Sequence, residues 1–402
     1  MELLKRLAVI LTMLMTVFIG FGLIIPVLPL MIKNVGAQPL NLGLMLAVYS
    51  AVAFLMSPWW GHISDRIGRK PVLLIGLLGF AISFIVFGLA AHLLWLMYVA
   101  RIIGGGFSGA VTATAMAYVA DVTSVENRTK GMAFAGMSIG MGFIIGPGVG
   151  GLLAHFGNVV PFFVAGVLAI GNAIWGAMAL PESMNQTDRQ NLTTSVPSKS
   201  RWAAFSGPLK YLFLVGFVGQ FTITSLEGTF QYFEMDKIGA TAGEIGTMFF
   251  ISGTVGALIQ GGVVQRYVTH GREVFTLYTG LIVSGMGMFL ILFSRNFWTA
   301  ALFMTLFGAG NTVIKPTLTS LITKQTKVGQ GLTNGLMSSL DSLARIVGPL
   351  LATALFQLDH NIPFILAGAA ALLATTLVAG YRHAFHKAMD GSSASYDSCS
   401  GS

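Results

Sequence analysis

Twelve times along this chain an apolar run of about 20 residues or more is followed by a short polar or charged break. A run of that length crosses the hydrocarbon core of a bilayer as a helix, and few other folds accommodate so many of them. The predicted spans in the first half cover residues 7–32, 42–64, 71–91, 94–120, 131–156 and 160–180. Those in the second half cover 208–233, 242–265, 273–293, 297–322, 331–358 and 362–381. The fold class expected is therefore an all-α polytopic membrane protein, with twelve transmembrane helices in two pseudo-symmetric six-helix bundles. The bundles are residues 1–180 and 208–386. Residues 181–207, rich in Ser, Thr, Asn and Gln, read as a linker, and 387–402 as a disordered tail.

Composition agrees with a lipid solvent. The chain has 402 residues, 54% of them hydrophobic and 9% charged, with a mean hydropathy of +0.76. The net charge of +8 does not indicate a nucleic-acid partner, because the basic residues sit in the short loops and form no single patch. Of the 23 lysines and arginines, Lys33, Lys237 and Arg295 fall on one side of the predicted bundle. Arg101, Lys315 and Arg345 fall inside spans, and all the others share the side that holds both termini. The positive-inside rule then places both termini and the linker in the cytoplasm. The apolar stretch after Lys5 and Arg6 is too long for a signal-peptide core. The lone Cys399 supports neither a disulfide framework nor a cysteine metal site. No cofactor is expected.

The two halves echo each other. Gly146-Pro147 precedes Pro161-Phe162-Phe163-Val164-Ala165-Gly166, and Gly348-Pro349 precedes Pro363-Phe364-Ile365-Leu366-Ala367-Gly368 at the same spacing. Arg66 before the third span is mirrored by Arg266 before the ninth. Two similar six-helix halves around a central cavity form a transporter architecture.

Four motifs narrow this further. The loop Gly61-x-x-x-Asp65-Arg66-x-Gly68-Arg69-Lys70 resembles the loop signature of the major facilitator superfamily. Gly142-x-x-x-Gly146-Pro147-x-x-Gly150-Gly151 resembles the antiporter motif of that family's twelve-helix drug:proton antiporters. Arg101-x-x-Gly104-Gly105 resembles a third motif. Gly22-x-x-x-Pro26-x-x-Pro29 is similar to the start of bacterial tetracycline and multidrug exporters. The resemblance covers the chain to about His386. It implies that Asp65 faces the positive N-terminus of the eleventh span, with Arg69 and Asp121 completing a charge cluster that holds the halves together. The plainer alternative is that Arg66, Arg69 and Lys70 only set topology. The resemblance also implies that the glycines at 142–151 pack the fifth span on the eighth.

Charged groups inside apolar spans are costly and are functional candidates by default. Glu227 matches an acid that the resemblance implicates in proton coupling, and a carboxyl withdrawn from water can exchange its proton near neutral pH. Asp341 is either a second coupling acid or a static ion pair with Arg345, four residues on. Arg101 lies at a depth similar to that of Glu227, which allows a pair between halves. Glu234 and Glu244, near span ends, read as solvated. The tenth span has Gly310-Asn311-Thr312-Val313-Ile314-Lys315-Pro316, with no acid where some relatives carry one. Met137, Met141, Phe221, Phe230, Tyr232, Phe233, Met248 and Phe249 are the candidate lining of an apolar cavity.

Two further patterns carry no chemistry. Gly104-x-Gly106-x-x-Gly109 mimics a dinucleotide fingerprint, and Gly136-x-Ser138-x-Gly140 mimics a nucleophile elbow. Both sit inside spans with no preceding strand. The expectation is a monomeric antiporter, not an enzyme, in a bacterial inner membrane, exporting a lipophilic and cationic drug in exchange for protons. Export of an endogenous metabolite, sugar or lipid is the alternative, and a membrane sensor or enzyme is the alternative of another class.

Overall fold

The computed structural model describes residues 2–124, 127–183, 205, 207–264, 272–326 and 330–399. Twelve helices in it are long and apolar enough to cross a membrane. They are α1 (Glu2–Ile24), α2 (Pro39–Ile67), α3 (Arg69–Leu89), α4 (Leu94–Val122), α5 (Arg128–Ala154) and α6 (Val160–Ala179). After them come α7 (Leu209–Ile238), α8 (Ala242–Ile259), α9 (Glu273–Ile291), α10 (Phe297–Gln325), α11 (Gln330–Phe356) and α12 (Ile362–Cys399). Among the described residues there is no strand. Lipid offers no hydrogen-bond partner, so each segment satisfies its backbone within itself.

Two differences from the sequence reading stand out. The first span is not one helix over 7–32. It breaks after Ile24 and restarts as a short helix, Leu28–Asn34. Pro26 has no N–H to donate and disfavours helical backbone at Ile25. Pro29 is tolerated in the first turn of the short helix, where N–H groups have no intrahelical partner. At the other end, the backbone of α12 stays helical to Cys399, through the stretch expected to be a disordered tail. No proline follows Pro363, and extending a packed helix is far easier than nucleating one. Of the expected linker, residues 184–204 and 206 lie outside the described residues, as does Arg266.

The packing pattern is duplicated. In the first half α1 packs on α5 and α6, α2 on α4, and α3 on α4 and α6. In the second half the pairs are α7 with α11 and α12, α8 with α10, and α9 with α10 and α12, the same set displaced by six helices. Two main contacts join the halves, α2 with α11 and α5 with α8, and they interchange under that displacement; α2 also touches α7.

Both joining contacts are close at one end of the bundle and open at the other. A Cβ placed on Gly43 of α2 would lie 2.6 Å from the Pro349 carbonyl oxygen of α11. One on Gly151 of α5 would lie 2.7 Å from the Ala242 oxygen of α8. At the other end, which carries the Arg66-Arg69-Lys70 loop and is called the basic end below, Gly61 of α2, Gly335 of α11 and Gly136 of α5 have nothing within 4 Å of such an atom. The halves are therefore sealed at one end and splayed at the basic end. Gly43→Val should overpack the seal at a cost of about 1–3 kcal/mol. Gly61→Val should change stability by no more than about 0.5 kcal/mol. Unfolding in detergent, followed by tryptophan fluorescence, measures both.

Candidate functional site

A cavity of about 580 Å³ lies between the splayed halves. Its walls come from α1, α2, α4 and α5 on one side and from α11 on the other. Phe18, Phe21, Phe54 and Phe143 supply apolar surface. Ser50, Ser57, Ser108, Thr112 and the α11 serines supply hydroxyls, and Arg345 is the one charged wall residue among those described. The expected lining lies elsewhere. Phe221, Phe230, Tyr232 and Met248 are buried between helices, where Phe230 meets Phe249 edge-on and Tyr232 packs on Phe356. Phe233 packs on Phe364, and Met137 and Met141 are exposed. The reason is that polar and apolar residues of α7 and α8 gather on no one face. On such helices no stripe marks the face that turns to a cavity.

Above the cavity, towards the sealed end, Glu227 and Arg101 border one narrow gap together with Phe21, Ile24, Ile25, Leu28, Leu42 and Leu46. They are brought together but form no ion pair. The Arg101 guanidinium, only 3% exposed, lies over the rings of Tyr49 at 5.7 Å and Phe87 at 5.1 Å. Its Nε and Nη2 have no hydrogen-bond partner. Asp341 also departs from expectation. It pairs with Lys315 Nζ of α10 at 2.6 Å, not with Arg345. The i,i+4 spacing put both groups on one face, but the neighbouring helix delivers a cation directly to the carboxylate.

Glu234 is a second correction. It is fully buried and accepts a 2.8 Å hydrogen bond from Ser294, while its Oε2 has no partner. A position near a span end does not expose it, because the connection between α9 and α10 folds over it. Glu244 instead completes an exposed capping box with Thr241 at the start of α8.

The glycine motif has two faces. Gly142 abuts Phe18 and Met15, Gly146 the Ile19 oxygen and Gly22, and Gly150 Leu23, all of α1. Gly151 and the Pro147 carbonyl oxygen meet α8 backbone at Gly246, and Gly148 meets the Phe250 ring. The expected packing of α5 on α8 is thus correct for one edge of the motif, while most of it seats α1. Pro147 packs on Gly22 from the same surface.

At the basic end, Gly68 turns the chain from α2 into α3 with φ +109°, a conformation that suits glycine. The turn holds Arg69, which is 7% exposed, beside Asp65 (Nη1 to Oδ1, 2.6 Å) and Asp121 (Nε to Oδ2, 3.1 Å). Ser64 and Ser183 hydrogen-bond into the same cluster. The expected contact of Asp65 with the start of α11 is not made, because the halves stand apart here. Residues 327–329, just before α11, lie outside the described set. Arg66 is exposed and makes no ion pair among the described residues. Sequence reading missed Glu182. Its carboxylate accepts the backbone N–H groups of Arg69 (2.8 Å) and Lys70 (3.2 Å) and so caps α3. The partners are more than a hundred positions apart, too far for any spacing to signal.

Comparison with known proteins places this architecture. The chain is similar to Multidrug resistance protein 2 of Bacillus subtilis (strain 168), at 32% identity over 368 residues, 90% of this chain and 91% of that one. It is similar to Quinolone resistance protein NorA of Staphylococcus aureus (strain COL), at 28% identity over 364 residues, 90% and 92% of the two chains. Its fold matches a bacterial homologue of the human lysosomal transporter Spinster with a TM-score of 0.78 and 13% identity, over 95% of this chain and 97% of that one. The family model described as Major Facilitator Superfamily matches residues 10–324 and, in a second match, 212–393. With that match, two duplicated six-helix halves and a cavity between them, the chain is a multi-pass membrane protein that belongs to the Major Facilitator Superfamily.

Proposed function

We propose that this protein exports lipophilic, amine-bearing drugs from a bacterial cell in exchange for protons, and that Glu227 carries the proton. The observation that carries the reading is the position of Glu227. It sits in the seal, between the halves, directly above a cavity open at the other end. A carboxyl so placed faces the cargo space in one state and can face the opposite side once the seal opens. The names of the relatives, multidrug and quinolone resistance proteins, agree with drug export. The excess of positive charge supports a cytoplasmic basic end, and on that reading the cavity opens inward and the seal faces outward. Inward proton flow supplies about 2.3 kcal/mol per charge per 100 mV. A monomer suffices, since both halves of one chain build the cavity.

Alternating access then requires the basic ends to close while the seal opens. Gly61, free of contacts here, is where α2 would meet α11. Asp65 would then reach the N-terminus of α11, with Arg69 and Asp121 holding it in place. Arg101, whose donors are unused, would pair with Glu227 once that carboxyl loses its proton. Asp341, held by Lys315, keeps a structural role.

Three measurements test this. Adding norfloxacin, a quinolone that bears both an amine and a carboxylate, to the detergent-solubilised protein should release protons, read with a pH-sensitive dye, and Glu227→Gln should abolish the release while leaving the protein folded. Release unchanged in that variant would move coupling to Asp341. Asp65→Asn and Gly61→Val should retain norfloxacin binding but slow transport in proteoliposomes by about tenfold or more, equivalent to about 1.4 kcal/mol on the switching barrier. Arg101→Ala should flatten the pH dependence of transport, and a pH profile unaltered from wild type would rule out its pairing with Glu227.

A further inference from the structure

Along α11, the residues that reach the cavity recur at helical spacing: Leu332, Gly335, Ser338, Ser339, Ser342 and Arg345. At about 1.5 Å per residue this ladder is about 20 Å long. It climbs from the open basic end to the floor of the seal, and its last rung is a guanidinium. Arg345 has no hydrogen bond and no ion pair among the described residues. Its contact is the Phe143 ring, 5.8 Å from the guanidinium carbon. Asp341, one turn earlier, is occupied by Lys315. Glu227 borders the neighbouring gap and forms no ion pair with Arg345. The other groups around the deep end, Val17, Phe18 and Phe21 of α1, Tyr49 of α2 and Phe143 of α5, are uncharged.

An arginine with its planar fork of donors unused, at the deep end of an apolar cavity, is built to receive a carboxylate or a similar anion. The serines below it add hydroxyls that can rotate. Ser339 and Ser342 donate to the Gly335 and Ser338 carbonyls at 2.9 and 2.8 Å, bonds that can be exchanged for bonds to a ligand. A cargo with only positive charge would meet repulsion from Arg345 and no acid on the wall.

We infer that the transported molecule carries an anionic group, a carboxylate or its equivalent, that docks on Arg345 at the head of the serine ladder. Its apolar body lies against Phe18, Phe21, Phe54 and Phe143. This rests on the exporter reading and extends it to the chemistry of the cargo, leaving Glu227 for the proton and for any amine on the same molecule.

The test uses two dyes with one xanthene body, rhodamine B, which has a free carboxylate, and its ethyl ester, which has none. Fluorescence anisotropy with the full chain in detergent gives both affinities. Wild type should bind the acid at least about tenfold more tightly than the ester. Arg345→Gln should lose that preference while keeping its affinity for the ester, which also shows that the cavity is intact. Arg345→Lys, which keeps the charge without the fork, should retain part of it. Equal binding of acid and ester by wild type, or a preference that survives Arg345→Gln, overturns the anionic subsite and leaves the exporter reading standing. Failure of wild type to bind either dye overturns both.

Discussion

The close approach of α2 to α11 and of α5 to α8 at one end of the bundle is the contact on which the rest of the structure depends. Gly43 and Gly151 let backbone meet backbone there, at distances that no Cβ would permit. Between apolar helices in lipid there is no hydrophobic gain from association, so such packing is what holds the halves together. Because the two contacts lie at the same end, the halves can splay at the other, and the cavity exists as a consequence of that wedge. The glycine motif of α5 serves the wedge twice. Most of it seats α1 within one half, which makes that half rigid, and Gly151 supplies the joint to the other half. A rigid half joined closely at one end only can move as a body.

How much of this the amino-acid pattern discloses depends on how local the cause is. Run length and loop charge define twelve spans because both are properties of single segments. The break at Pro26 is equally local, since a proline's missing N–H acts within one turn. The cavity lining is not local. Aromatic and Met residues in α7 and α8 look suited to a drug site, yet Phe230 and Met248 are buried between helices. Ser338, Ser342 and Arg345 carry a helical stripe in plain view, but a stripe says only which face is polar and not what it confronts. Asp341 shows the same limit. Its i,i+4 partner was visible, whereas the Lys315 that binds it comes from another helix. Glu182 gave no signal of any kind because its partners lie in a segment remote in sequence.

The few charges inside the bundle divide into two kinds. Asp341 with Lys315, and Asp121 with Asp65 through Arg69, are matched locally, with each charge satisfied by its neighbours. Arg101, Arg345 and Glu227 are not matched by direct ion pairs, and Arg101 keeps two nitrogens without partners in a buried site. Leaving a buried charge uncompensated is among the costliest things a fold can do. Glu234 is likewise buried without an ion pair, but it stands alone against the connection between α9 and α10. The clustering of the other three around the seal and the deep end of the cavity singles out this region for chemistry over architecture.

The charged cluster at the basic end explains how such a molecule can open without penalty. Asp65, Arg69, Asp121, Ser183 and Glu182 all belong to the first half, and their mutual contacts are complete while the halves are apart. No charge there is left stranded when the second half withdraws, so making or breaking a contact between halves exchanges only a marginal interaction for water. Had Arg69 depended on a carboxylate of the opposite half, opening would have cost the several kcal/mol of an unpaired, partly buried ion. A pair of states close in free energy is what alternating access demands. The arrangement therefore leaves the basic end with only a small bias between its open and closed forms.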